Sequence, residues 1–230
     1  MERKINLWIL DIGCGPGNSS KVLRDKFPNS YILGVDYSQD MINKATKEYA
    51  DIYFKVCDVN NELSTLDNDY DIVFSNACIQ WLPNHKTLIK NLLSLLKPNG
   101  ILAVQIPVNY NEPIHKIISK VTTNKKWTSY FPKKRELFNL SESEYYDLLS
   151  HETTNFTIWK TTYYHKLKSH KSILEWYRGT GLNPYLSVLD DTVKQTFEND
   201  IYERITEEYP KQKDGSIMFK FPRLFFIAKK

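Results

Sequence analysis

The chain has 230 residues, a formal net charge of +4, and 41% hydrophobic and 25% charged side chains, which suits one large globular domain or a domain with a cap. The mild positive balance fits an anionic small molecule and does not call for nucleic acid. Cys14, Cys57 and Cys78 show no C-x-x-C spacing, no apolar stretch reaches membrane-spanning length and no secretory leader pattern opens the chain, so a disulfide framework and a membrane span are excluded and the cytoplasm is the expected compartment.

The first half alternates strand and helix. Leu7 to Leu10 reads as a fully buried strand, followed by a glycine-rich turn and by Asn18, Ser19 and Ser20, which are expected to cap a helix through Phe27. Ile32 to Val35 is a second strand ending at Asp36, and Ser38 opens a helix through Tyr49 with Met41, Ile42 and Ala45 at helical spacing. Ile52 to Val56 is a third strand closed by Cys57 and Asp58, and a polar loop leads to a fourth strand, Tyr70 to Ser75. His85 to Leu96 is an apolar-faced helix, Pro98-Asn99-Gly100 a turn and Ile101 to Ile106 a fifth strand. Strands alternating with helices predict parallel βαβ units with helices on both faces.

The rhythm then breaks. Pro113 to Val121 is helical, and residues 125 to 135 mix Lys125, Lys126, Lys133, Lys134 and Arg135 with Trp127, Tyr130 and Phe131. That basic and aromatic mix is short, so a solvated cap or a rim that attracts carboxylates is expected in preference to a nucleic-acid surface. Ser141 with Glu144 is a capping box, and Phe156 to His165 is β-rich. Helices follow over Ser169 to Arg178 and Asp190 to Tyr209, the second with a core stripe of Val193, Phe197, Ile201 and Ile205. A last strand, Ile217 to Ala228, is expected to be interrupted at Pro222.

The turn between the first strand and its helix reads Asp11, Ile12, Gly13, Cys14, Gly15, Pro16, Gly17. Glycine there admits positive φ and lets a ligand approach the main chain, and the helix start favours polar or anionic groups. A dinucleotide fold would need glycine or alanine at position 18, where Asn18 stands. The pattern D-x-G-x-G-x-G resembles motif I of the class I S-adenosylmethionine-dependent methyltransferases. The segments G-V-D-Y-S-Q-D-M (34–41), N-A-C-I-Q-W-L-P-N-H (76–85), T-T-Y-Y-H (161–165) and F-P-R-L-F (221–225) resemble, within that superfamily, the trans-aconitate methyltransferase family. The resemblance implies a Rossmann-like α/β fold: a mostly parallel seven-stranded sheet with an antiparallel edge, in a single domain over 1–230. Helical cap insertions are expected at about 107–154 and 166–214. The family usually carries more residues before the first strand than Met1 to Asn6, so the cofactor pocket is expected to be open on that side.

Ligands in such a sheet bind beyond the carboxyl ends of the strands. The resemblance places S-adenosylmethionine, leaving as S-adenosylhomocysteine, against Asp11, Gly13, Cys14 and Gly15 of the turn. Asp36 then accepts the ribose hydroxyls, Tyr37 and Met41 pack on the adenosine, Asp58 and Val59 meet the adenine, and Asn76 and Ala77 line the methionine part. The implied reaction forms the methyl ester of a small polycarboxylic acid. A carboxylate is already ionised at neutral pH, so no residue is assigned as a base and no metal is called for. Cations belong on the spectator carboxylates, because charge cancels at the reacting one. Trp81, Tyr164, His165, Arg178 and Arg223 are the substrate candidates, with Tyr163 the alternative to Tyr164 on the opposite strand face. A monomer is expected. Two other readings stay open: a methyltransferase for another acid or acyl acceptor, and a cofactor-binding protein without full catalysis.

Overall fold

The structure is a computed structural model that describes residues 6–132, 137–179 and 181–230. Its strands are β1 (Trp8–Ile12), β2 (Tyr31–Asp36), β3 (Tyr53–Val56), β4 (Tyr70–Asn76), β5 (Leu96–Pro107), β6 (Phe156–Leu167) and β7 (Ile217–Lys229). Its helices are α1 (Asn18–Lys26), α2 (Gln39–Glu48), α3 (His85–Ser94), α4 (Pro113–Thr122), α5 (Glu142–Glu152), α6 (His170–Arg178), α7 (Asn183–Leu186) and α8 (Asp191–Glu208). No described helix is long and apolar enough to cross a membrane.

One sheet runs in the order β3-β2-β1-β4-β5-β7-β6. β1 pairs in parallel with β2 and β4, β2 with β3, and β4 with β5. β7 is antiparallel to β5, shown by bonds from Lys230 N–H to Gly100 O and from Val108 N–H to Pro222 O, both 3.0 Å. The central strand β1 is buried from Ile9 onward, and that is why it reads as an unbroken apolar run rather than an alternating one.

By their contacts the described residues fall into two compact units. The first takes Met1–Pro107, Glu136–Lys160 and Leu224–Lys230, the second Val108–Arg135 and Thr161–Arg223. The division follows the cores. In the first unit Ile9, Leu23, Ile32 and Ile52 gather Leu7, Phe27, Tyr49, Phe54, Ile72 and Phe74. In the second, α4 and α6 pack on α8 around Ile114, Trp127, Tyr177, Phe197, Ile201 and Phe219. Residues 137–154 belong to the first unit, and Tyr145 and Leu149 of α5 are wholly buried.

Two expectations are corrected. Pro98-Asn99-Gly100 does not precede β5 but lies within it as a bulge: β4 register shifts from Tyr70↔Leu96 to Ile72↔Ile101, and Asn99 takes φ 68°. β7 continues through Pro222, whose carbonyl still bonds Val108, so the missing N–H breaks nothing on that side. Of the basic and aromatic mix, Trp127 is core and donates from Nε1 to Asp200 (2.7 Å), which also holds Lys126. Lys133, Lys134 and Arg135 lie outside the described residues, as do Met1 to Ile5.

Candidate active site

Every residue that the sequence assigns to the cofactor lies in the first unit. Gly13 and Cys14 donate backbone N–H bonds to Val35 O at 2.8 and 3.0 Å, which ties the turn to β2. Two of the turn's glycines are needed for different reasons. A side chain at Gly13 (φ +70°) would run into Cys78, whereas one at Gly15 (φ +54°) would meet nothing within 4 Å. Gly13 is thus a packing requirement. Gly15 leaves a cradle open above the main chain.

Asp36 spans this turn and the start of α2. Its Oδ2 accepts from Gly15 N–H at 3.0 Å and its Oδ1 from Ser38 N–H at 2.9 Å. A carboxylate oxygen has two acceptor sites, so each retains one for a ligand hydroxyl. Ser38 also caps α2 through Met41 N–H, as its sequence predicts. Tyr37 is 80% exposed and Met41 is half-buried.

α1 is not capped by a serine. Its N-cap is Gly17 in the left-handed region, with no side-chain bond. Ser19 and Ser20 instead donate their hydroxyls to Oδ2 of Asp11, both at 2.6 Å. Asp11 is 0% exposed, and its Oδ1 has no hydrogen-bond partner among the described residues. Burial pushes its carboxyl up to about 6; the two serines oppose that rise and the neighbouring Asp36 adds to it. A buried acceptor left unmet costs roughly 1–3 kcal/mol, so this oxygen suits a donor or cation brought by a ligand. These features fit a cofactor that carries an ammonium, a sulfonium and a ribose.

The other assigned residues are placed less decisively. Asp58 accepts from Asn60 N–H (3.0 Å) and Asn61 Nδ2 (2.7 Å), closing a local turn beside buried Val59. Asn76 is exposed at the end of β4. Ala77 follows with φ 55° and donates to Gln105 O at 2.9 Å. Burial raises the Cys14 and Cys78 thiols, Cys14 far above the usual range and Cys78 to about 12, which favours the protonated form of both at neutral pH. Trp81 ends the 3₁₀ turn Ile79–Trp81 and is 38% exposed.

The remaining substrate candidates lie in the second unit. His165, Phe221 and Trp176 cluster, with ring centroids 4.7 Å apart for His165–Trp176 and 6.3 Å for His165–Phe221. The Arg223 guanidinium lies 4.7 Å over the Phe221 ring, and burial lowers its pKa. Tyr163, not Tyr164, shares this face, stacked 6.2 Å from His165, because side chains alternate along β6. Arg178 is not brought to the cluster's cations. Its Nε and Nη2 hold both oxygens of Glu198 at 2.5 and 2.7 Å, joining α6 to α8. Trp176, Phe221 and Glu198 were not picked out from the sequence. Only the step of two from His165 could have selected Tyr163.

A methyltransferase-domain family model matches residues 4–170. The trans-aconitate 2-methyltransferases of Escherichia coli O157:H7 and Shigella flexneri are each 38% identical over 223 residues, covering 97% of this chain and 86% of theirs. The chain belongs to the trans-aconitate 2-methyltransferase family. It is therefore an S-adenosylmethionine-dependent carboxyl O-methyltransferase by family, with the Rossmann-like fold of class I methyltransferases. Solved structures agree on the fold. The Bacillus subtilis YcgJ protein superposes with TM-score 0.61 at 14% identity, over 98% of this chain and 92% of that one. Haemonchus contortus phosphoethanolamine N-methyltransferase 2, bound to phosphomonomethylethanolamine and S-adenosylhomocysteine, gives 0.58 at 16% identity, over 97% and 49%.

Proposed function

We propose that this family member methylates one carboxylate of a small polycarboxylic acid, trans-aconitate foremost, to give a monomethyl ester. The observation that carries this reading is Arg223, a half-buried guanidinium pressed on an aromatic ring beside Tyr163 and His165. Such a cation favours a planar anion held by paired hydrogen bonds. The name of the 38% identical relatives supplies the candidate acid.

In this reading Asp36 receives the ribose hydroxyls, Tyr37 and Met41 flank the adenosine, and Asp58 with Val59 meets the adenine. Asp11, Gly13, Cys14, Gly15, Asn76 and Ala77 surround the methionine part. The cofactor, when bound, supplies an electrophilic methyl group on sulfur. The acid arrives already ionised, so the protein moves no proton. Its residues orient the oxygen and exclude water. Arg223 and His165 hold spectator carboxylates, with Tyr163 taking the place given to Tyr164 in the sequence reading. In this reading the enzyme works in the cytoplasm as a monomer without nucleic acid.

The test is kcat/KM for tri-, di- and monocarboxylates with Arg223→Ala. Losing a buried charge-assisted contact of about 2–5 kcal/mol should raise KM for a tricarboxylate at least about thirtyfold and leave a monocarboxylate nearly unchanged. Equal losses on all three acids would make Arg223 a support of the fold and remove the polycarboxylate reading.

A further inference from the structure

The loop after β4 carries Ala77, Cys78 and Trp81, and it is held by a buried pair outside the site described above. His85, at the start of α3, is 2% exposed, and Tyr145, in the first turn of α5, is 0% exposed. The Tyr145 hydroxyl lies 2.6 Å from His85 Nδ1, and His85 Nε2 lies 2.8 Å from the carbonyl of Ile79. A carbonyl only accepts, so Nε2 carries the proton and Nδ1 accepts from Tyr145. Burial lowers the imidazole pKa and keeps it neutral.

A directed chain of hydrogen bonds thus runs from α5 through His85 into the turn Ile79–Trp81. Its far end is anchored: the Ser141–Glu144 capping box that starts α5 ends one residue before Tyr145, and the Tyr145 ring packs 5.7 Å from Phe226. The same loop is pinned by Phe138 N–H to Gln80 O (3.0 Å) and by Gln80 Nε2 to Ala77 O (2.6 Å). Ala77 at φ 55° is a conformation that costs a non-glycine residue about 1–3 kcal/mol and persists only where its surroundings enforce it. Cys78, the next residue, fills the space that a side chain at Gly13 would take. This loop therefore packs directly against the glycine turn.

We propose that His85 and Tyr145 are positioning residues for methyl transfer: they hold residues 77–81 in the strained form that seats Cys78 against the Gly13 turn and sets Trp81. The inference rests on assigning that turn to the cofactor and is independent of which acid is methylated.

The test uses the full chain in three variants, His85→Ala, His85→Gln and Tyr145→Phe. Three readouts are taken at a temperature where circular dichroism shows each variant folded: alkylation of each cysteine by iodoacetamide without cofactor, S-adenosylhomocysteine affinity by calorimetry, and kcat against KM. In His85→Ala, Cys78 should react about tenfold faster while Cys57 keeps the parental rate, the signature of a local opening. Affinity for S-adenosylhomocysteine should fall about tenfold and kcat further than KM, as small misplacements near a reacting centre do. His85→Gln, whose amide still donates to Ile79, should stay within about threefold of the parent, and Tyr145→Phe should fall between the two. Should His85→Ala not fold, Tyr145→Phe alone carries the test. Variants that lower only the melting temperature, with parental Cys78 reactivity, affinity and kcat, overturn the proposal. So does His85→Gln performing no better than His85→Ala, or a faster Cys78 with unchanged affinity.

Discussion

The turn around Gly13 and the cluster around Arg223 are built on opposite plans. At the turn, side chains are set by hydrogen bonds: Asp36 by Gly15 and Ser38 N–H, Asp11 by the Ser19 and Ser20 hydroxyls. At the cluster, Arg223, Phe221, Tyr163, His165 and Trp176 come from β7, β6 and α6 and are set by ring packing. The first plan gives rigid geometry with little freedom to vary. The second tolerates exchange of one ring for another, as a region that selects among acceptors requires.

The contrast is sharpest in two glycine variants. Gly13→Ala should destabilise the fold by about 3 kcal/mol, since positive φ and a collision with Cys78 combine, and should abolish cofactor binding. Gly15→Ala meets no neighbour and should cost only about 1 kcal/mol of stability, yet weaken cofactor binding severely because the new methyl fills the cradle. Thermal melts with calorimetric titration separate the two. Equal effects on stability would break the distinction between packing and cradle.

A smaller effect comes from pH. The Asp11 carboxyl is raised from 3.8 to about 6 by burial, so the folded state binds more protons than the unfolded chain between those values. Stability of the cofactor-free protein should therefore rise as pH falls through about 6 toward 3.8. Affinity for a cationic cofactor should move the other way, full above about 6 and declining below it, because protonation removes the attracting charge. In Asp11→Asn both slopes should flatten. Parallel slopes for stability and affinity would show that Asp11 does not face the cofactor.

The smallest effect concerns Arg178. It is bound to Glu198, whose side chain is only 8% exposed. Arg178→Ala should cost about 1 kcal/mol of stability by leaving that carboxylate unmet, without altering KM for any acid. A tricarboxylate KM that rises as in Arg223→Ala would return Arg178 to the acceptor site.

What could be read from the sequence follows the same division. The strands, the crossovers, the Ser38 cap and the Ser141–Glu144 box depend on spacings of a few residues, and the structure has each of them. The glycine turn was legible because one short pattern carries it. The partners of Ser19 and Ser20 were not, since a serine after a glycine reads equally as a cap or as a donor to a buried acid. The Glu198 partner of Arg178 was not legible because it lies on another helix, and no local spacing announces it. Tyr163 and Tyr164 could be separated only once the face of His165 was known.

β6 is the outermost strand of the sheet, and Trp159 and Tyr164 on it are exposed. A long aromatic edge of that kind invites pairing with other chains. Lys160 and Lys166 interrupt it, tethered to Glu142 and to Asp214. Lys166 and Ser216 hold the Asp214 carboxyl far below the usual carboxylate range, so this pair stays charged in mild acid. The tether that fixes Lys166 along the edge therefore survives to lower pH than one made by an ordinary surface carboxylate.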